Sequence, residues 1–272
     1  MSARKSGVGY RIGRQFRKLY LKTRDVIRNA YPQFGYQASD VLIASFPKSG
    51  RNWVRFLLAN SIVVSADRDV EIHFLNSSDW ISTTVPKTPP VEDGYPRIVA
   101  DHGEYQGQDT RVIYIIRHPA DVMESYYVYL RDRWNEPVGE FSAFIRDDEW
   151  GIPAWKRHVE SWESEVDVLV TFGGLKRDPG ACLREMYTLF ERSISKEVID
   201  KAVNRSSFEN MARVEQEYGI PEKHGANDDF TFMRKGIQSE GEDYFTYNDY
   251  QYLWETAHEK MQQYGYKIPV DM

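Results

Sequence analysis

Lys48, Ser49 and Gly50 follow directly on the apolar run Val41-Leu42-Ile43-Ala44-Ser45-Phe46 and stand just ahead of a helix-forming stretch that opens near Asn52. A helix N-terminus after a parallel strand presents unpaired backbone N–H groups and the positive end of its dipole, so such a junction is an anion cradle. Ser49 and Gly50 let the backbone wrap closely around an oxyanion, and Lys48 adds a point charge. The physics is that of a nucleotide P-loop, but the pattern differs. That loop needs a glycine, four residues and then Gly-Lys-Ser/Thr, whereas Lys48 here precedes the Ser-Gly. Histidine is the side chain whose pKa near neutrality suits general-base work, and six histidines are present. No cysteine pair and no His-x-x-x-His spacing suggests a metal.

Stepping along the chain, the apolar run 41–46 reads as a strand, followed by a Pro/Gly turn and a helix from about Asn52 to Val64. A second strand, Arg111 to Ile116, runs into Arg117-His118-Pro119, where Pro119 suits the first turn of a helix. A third strand spans Val166 to Phe172, and Asp178-Pro179 reads as a capped helix start. Further helices are expected over 154–163, 195–204, 206–218 and 248–264, the last ending at Gly265. Short apolar strands alternating with helices predict one α/β domain over 37–272, with a central parallel sheet flanked by helices and a P-loop-like strand-loop-helix. The stretches 76–96 and 219–245 read as long loops of the kind that cover active sites.

With a formal net charge of −6, the chain hides an asymmetry. Residues 1–30 carry nine Lys/Arg against one acid, a net +8, and leave −14 for the remainder. An acidic body argues against a nucleic-acid partner but not against a focused anion site. Region 1–36 reads as a basic amphipathic helix, with Ile12, Phe16, Leu19, Tyr20, Thr23, Ile27 and Tyr31 on one face. Packing on the domain with a solvated basic side is the first reading, and contact with an anionic membrane surface or glycan the second. The single cysteine, Cys182, reads as a small core residue of a reduced, cytoplasmic protein.

The segment Pro47-Lys48-Ser49-Gly50-Arg51-Asn52-Trp53 resembles the 5′-phosphosulfate loop of the sulfotransferases that use 3′-phosphoadenosine 5′-phosphosulfate (PAPS), usually Pro-Lys-Ser/Ala-Gly-Thr-Thr-Trp. The resemblance implies that Lys48 neutralises charge on the leaving oxygen, that the amides of 49–52 and the Asn52 side chain hold the 5′-phosphate, and that Trp53 stacks on adenine. Arg51 and Asn52 stand where two threonines are usual. Arg117 and Ser125, eight residues apart, resemble the family's 3′-phosphate pair, with a guanidinium fork and a hydroxyl. Ser206 and Phe208, in a segment similar to Thr-Ser-Phe-x-x-Met, imply adenine contacts, and Phe172 stands where a tyrosine near adenine is usual. Arg234-Lys235-Gly236 resembles the segment that closes over the 3′-phosphate. These matches run from about 41 to 245.

Pro96 to His102 resembles Pro-Arg-x-x-Lys-x-His, whose histidine is the base, which implies His102 as catalytic, with Glu104 as the second candidate because carbohydrate-directed members often use glutamate. Ala100 stands where a lysine is usual, so either Lys48 acts alone or another cation serves. The implied reaction transfers SO₃ from PAPS to an acceptor hydroxyl on a small molecule or saccharide, leaves 3′,5′-adenosine bisphosphate (PAP), and needs no metal. Transfer to an amine or guanidinium nitrogen, a nucleotide kinase or NTPase, and a non-catalytic scaffold are the alternatives. The acceptor is expected to meet loops 67–110, 128–155 and 219–245, which hold the aromatics Phe74, Trp80, Tyr95, Tyr105, Tyr129, Trp134 and Trp150.

Overall fold

The computed structural model describes residues 35–83, 92, 94–221, 230–233, 241 and 243–268. The expected basic helix over 11–31 and the triplet Arg234-Lys235-Gly236 lie outside the described residues. The described chain runs through β1 (Val41–Ser45), α1 (Arg51–Ser65), α2 (Ser77–Trp80), β2 (Ile98–Asp101), β3 (Arg111–Ile116) and α3 (Pro119–Val128). A π-turn, Tyr129–Arg133, prolongs α3. Then follow α4 (Phe141–Phe144), α5 (Ile152–Trp162), β4 (Val168–Thr171), α6 (Phe172–Arg177), α7 (Pro179–Tyr187), a 3₁₀ turn at Thr188–Phe190, α8 (Lys196–Arg205), α9 (Phe208–Tyr218) and α10 (Tyr247–Gln263).

The sheet order is β2-β1-β3-β4 and every pairing is parallel. Both faces of the sheet are covered, which is why its strands are almost continuously apolar. Val41, Ile43, Ala100, Ile113 and Ile115 pack toward α1, α7 and α8. Leu42, Ala44, Val99, Val112, Tyr114 and Ile116 pack toward α3, α5 and α10, where Trp155 and Trp162 fill the layer. The alternation is the period-two consequence of strand geometry.

β2 was not evident in the sequence. Its four residues end on Asp101, and only pairing with β1, Val41 opposite Ile98 through Ala44 opposite Asp101, makes them a strand. Arg97 locks this register: Nε and Nη2 donate to Asp40 Oδ1 and Oδ2 at 2.8 and 2.6 Å. The stretch 76–96 is not wholly a loop, since α2 interrupts it. The third strand starts and stops inside the expected 166–172, because Phe172 already opens α6, whose first turn is capped by Thr171 Oγ1 accepting from Gly174 N at 2.9 Å. Pro119 and Asp178-Pro179 open helices as their chemistry requires, and Asp178 accepts from Ala181 N at 2.8 Å.

From β1 the chain crosses to β2 on one side, and from β3 it crosses to β4 on the other. The crevice between the C-terminal ends of β1 and β3 is therefore the topological switch point, where ligands bind open parallel sheets. Residues 46–50 and Arg117-His118 are the two loops that leave it.

Candidate active site

The loop 46–50 folds as an anion cradle. Gly50 caps α1 with φ +109° and makes no side-chain cap, so the first amides of α1 stay available to a ligand. Lys48 also has a positive φ, +69°, in a region costly for a residue with a Cβ. This turn throws the lysine side chain over the Tyr129 ring, with Nζ 4.4 Å from its centroid and 5.5 Å from that of Phe232. Ser49 Oγ is buried and makes no hydrogen bond among the described residues, a donor waiting for an acceptor.

One ring ties this loop to Arg117. A Cβ on Gly50 would lie 2.9 Å from Phe172 Cδ2, so only glycine admits that ring. Phe172 meets Trp53 edge-on at 5.9 Å on one side, and the Arg117 guanidinium lies 4.3 Å from its centroid on the other. Arg117 Nη1 donates to the Lys48 carbonyl at 3.4 Å, and Nε lies 3.5 Å from Asp121 Oδ2. Burial lowers the Arg117 pKa, against the pull of Asp121. Asp121 and Ser125, four residues apart, share one face of α3, so Ser125 lies one turn beyond the arginine's partner. His118 caps α3 through Nδ1, which accepts from Ala120 N at 3.2 Å, and its Nε2 donates to Lys267 O at 2.7 Å. It shapes the turn that presents Arg117.

Across the cradle, at the end of β2, His102 Nδ1 donates to Ser45 O at 2.7 Å. Asp101 orients the same turn, accepting from His102 N at 2.7 Å, Gly103 N at 3.2 Å and Tyr36 Oη at 2.7 Å. Burial holds the His102 pKa well below the ordinary imidazole value, and the Arg51 charge pushes it further down. Glu104, the other candidate base, is exposed and lies 3.8 Å from Arg157 in an ion pair.

Ser206 is fully buried, accepts from Asn60 Nδ2 at 3.1 Å and closes α8, while Ser207 caps α9 by accepting from Asn210 N. The two serines thereby fix Phe208, the partly exposed first residue of α9. The helix expected from 206 begins at 208 for this reason. Of the aromatics expected near the acceptor, Tyr129 lies under Lys48 and Trp134 meets Tyr129 edge-on, whereas Tyr95 and Trp150 are buried in the core.

Two buried glutamates were not foreseen. Glu215 accepts from Phe232 N at 2.5 Å and Met233 N at 2.9 Å, and Glu124 accepts from Asp243 N and Tyr244 N, both at 3.0 Å. They hold the described stretches on either side of 234–240. A glutamate on a helix carries no sign in sequence that backbone amides from a distant loop will reach it. Among the described residues, no group of three or more His, Cys, Asp or Glu is placed to hold a metal ion, and no helix is long and apolar enough to cross a membrane.

A family model described as the sulfotransferase domain matches residues 38–265. Among curated proteins, sulfotransferase 2A6 of Rattus norvegicus is 22% identical over 243 residues, spanning 82% of this chain and 84% of the relative. Sulfotransferase 1B1 of Canis lupus familiaris is 26% identical over 244 residues, spanning 79% and 80%. Among solved structures, a mouse sulfotransferase complexed with PAP superposes with TM-score 0.61 at 20% identity, covering 84% of this chain and 85% of that one. A retinol dehydratase in complex with retinol and PAP gives TM-score 0.66 at 16% identity, covering 93% and 87%. At these identities the solved structures establish a common fold.

Proposed function

The chain belongs to the sulfotransferase domain family, and from that premise we propose that it moves a sulfuryl group from PAPS to the hydroxyl of a small organic acceptor, with His102 as the base. The observation that carries the donor reading is the Phe172 wall. The 47–53 cradle packs against it through Gly50, and Arg117 lies on it from the side of the second anion site. A nucleoside with phosphates at its 5′ and 3′ ends needs two such sites flanking one aromatic wall. Trp53, Phe172 and Phe208 suit the adenine; Ser49, Gly50, Arg51 and Asn52 suit the 5′-phosphosulfate; Arg117 and Ser125, with Arg234, Lys235 and Gly236, suit the 3′-phosphate.

Transfer forms a bond between the acceptor oxygen and sulfur while the bond from sulfur to the bridging phosphate oxygen breaks, and the electron pair stays on that oxygen. Lys48 neutralises the charge developing there. His102, neutral and with Nδ1 committed to Ser45, has Nε2 to take the acceptor proton. Exposure and the Arg157 pairing of Glu104 favour His102 over it. Proton removal from a hydroxyl also favours an alcohol or phenol over an amine acceptor.

Tyr129, Phe230 and Phe232 cluster within 6.0 Å of one another between ring centroids, next to Lys48. Such a surface suits an apolar or aryl body better than a polar saccharide. The retinol of the retinol dehydratase complex is likewise a hydroxyl-bearing apolar molecule. The test has two parts. Calorimetry should show tight binding of PAP and none of Mg²⁺-ATP, and the reverse result returns the protein to the nucleotide kinases. PAPS with separate panels of sterols, phenols, amines and amino sugars, read by mass for an added SO₃, should give products from the first two; products from the amino sugars alone would reject the apolar acceptor.

A further inference from the structure

The first residue of α1, Arg51, has its Nε buried without a hydrogen bond among the described residues. One turn on, at the spacing that stacks side chains on one helix face, stands Arg55. Its partners are all neutral: Asn52 Oδ1 at 3.5 Å, Ser77 Oγ at 3.1 Å, Ser78 Oγ at 3.2 Å and Ile81 O at 3.1 Å. Among the described residues no carboxylate forms an ion pair with either arginine. The nearest acid in its effect on Arg51 is Asp101, whose oxygens already accept from Tyr36, His102 and Gly103.

Arg55 is buried and Arg51 half-buried with its Nε shielded, so two neighbouring guanidiniums lose solvent together in a protein of net charge −6. The cost is visible in their proton affinities: burial brings Arg51 down to about 10 and Arg55, which also feels Arg51, down to about 9. Buried charge without a counterion is costly, and an arriving anion relieves that cost. The surroundings of Arg51 locate such an anion. Its charge acts on Tyr129, over whose ring Lys48 Nζ sits at 4.4 Å, and it is the nearby cation that most lowers the pKa of His102. Ala100 in β2 points into the core beneath α1 and supplies no charge to this corner.

We propose that Arg51 is the second cation at the transferring sulfuryl group, acting with Lys48 from the shared Tyr129 side and leaving the His102 side to the acceptor hydroxyl. This rests on the sulfuryl-transfer reading above. As the acceptor oxygen bonds to sulfur and the bond to the bridging oxygen breaks, negative charge collects on the sulfuryl and bridging oxygens. Lys48 serves the bridging oxygen, and Arg51 the sulfuryl oxygens. Arg55, held by neutral groups, stays behind as a fixed positive field.

PAP keeps the donor's 5′-phosphate but lacks the sulfuryl group, so it separates this role from simple phosphate binding. R51Q should lower kcat by about 100-fold or more, on the scale of losing one transition-state donor, while the Kd for PAP measured by calorimetry changes by less than about 3-fold. R51K should recover part of the lost kcat. In the ligand-free protein, NMR titration of the His102 ring should show a higher pKa in R51Q, since Arg51 depresses it while Asp101 raises it and burial and His158 lower it. Because R51Q removes a half-buried charge that has no ion-pair partner among the described residues, its Tm should equal or exceed that of the wild type. Equal losses of kcat and PAP affinity would assign Arg51 to the 5′-phosphate instead. An unchanged His102 titration, an unchanged kcat or a lowered Tm would each overturn the proposal. Failure of the wild type itself to bind PAP would instead overturn the donor reading.

Discussion

His102 Nδ1 lies 2.7 Å from the carbonyl oxygen of Ser45, the last residue of β1, and this contact decides which nitrogen of the ring is basic. A carbonyl oxygen only accepts, so Nδ1 carries the proton and Nε2 keeps its lone pair. The same strand that leads into loop 46–50 thereby fixes the tautomer of the proposed base. Loop 46–50 and His102 cannot drift apart without breaking the β1–β2 pairing of Ala44 with Asp101.

Replacing His102 should therefore damage chemistry and spare donor binding. H102Q is expected to lose at least about 100-fold in kcat, in the range of general-base contributions, with PAP affinity unchanged. The folded pKa lies well below the 6.5 of free imidazole, through burial and then the Arg51 charge. The base is consequently competent at neutral pH, and kcat/KM should stay flat until the acid limb, below pH 6.5. An acid limb above that value would mean that His102 is not held down in the working enzyme, and full activity in H102Q with loss in E104Q would transfer the role to Glu104.

His158 makes stability, rather than rate, depend on pH. It is buried between Phe46 and Tyr114, with Nδ1 2.9 Å from Tyr114 Oη, and burial drives its pKa from 6.5 down to about 4. Between those values the unfolded chain binds a proton that the folded protein refuses. Stability is full above pH 6.5 and falls as pH drops toward 4, by roughly 3 kcal/mol for this group. Urea unfolding at pH 7.5, 6 and 5 should show the fall, shallower in H158Q; an identical slope in the variant would remove His158 as its source.

How far the sequence discloses this site depends on the kind of contact. The anion cradle is local: strand, Lys48-Ser49-Gly50 and helix follow one another, and their order is enough. The proposed donor contacts Arg117 and Phe172 are readable only as positions, because Phe172 acquires its place from β4 being neighbour to β3 and from Gly50 lacking a Cβ. β2 was hidden because its identity as a strand comes from β1. Glu215 and Glu124 were hidden because their partners are backbone amides remote in sequence, at 232–233 and 243–244. The effect of Arg51 on His102 could not be foreseen either, since it depends on β2 pairing with β1, the strand that leads into α1.

Gly50 tests the shared wall. With φ +109° and a would-be Cβ 2.9 Å from Phe172, G50A must strain the loop, displace the ring, or both. The expected outcome is a loss of about 1–3 kcal/mol of stability and at least about tenfold in PAP affinity, and G50A/F172A should regain part of the stability. Purely additive effects in that double variant would mean the ring and the glycine do not constrain each other.

Arg117 separates the two ends of the donor. Its fork and its planar contact with Phe172 at 4.3 Å cannot be reproduced by lysine. R117K should weaken PAP by about tenfold or more, as expected for a lost charge-assisted pair, yet leave adenosine 5′-phosphosulfate, which lacks the 3′-phosphate, nearly unaffected. S125A should act in the same direction with a smaller effect. Equal losses for both nucleotides would mean that Arg117 supports the wall rather than the 3′-phosphate.

Lys48 brings a conformational cost together with a chemical role. Its φ of +69° disfavours any residue with a Cβ, and its ammonium sits 4.4 Å from the Tyr129 centroid. K48A and K48G both remove the charge, but only K48G relieves the backbone. Both should lose kcat by about 1,000-fold, as cationic stabilisation of a leaving oxygen predicts, while K48G should be about 1 kcal/mol more stable than K48A. The pair separates what the turn costs from what it provides. If K48G were active, the cation would not be needed; if it were no more stable than K48A, the left-handed turn would carry no strain. With kcat lost in both and stability regained only in glycine, the strained turn is explained by the position it gives the ammonium, at the point where α1, Tyr129 and the mouth of the β1–β3 crevice converge.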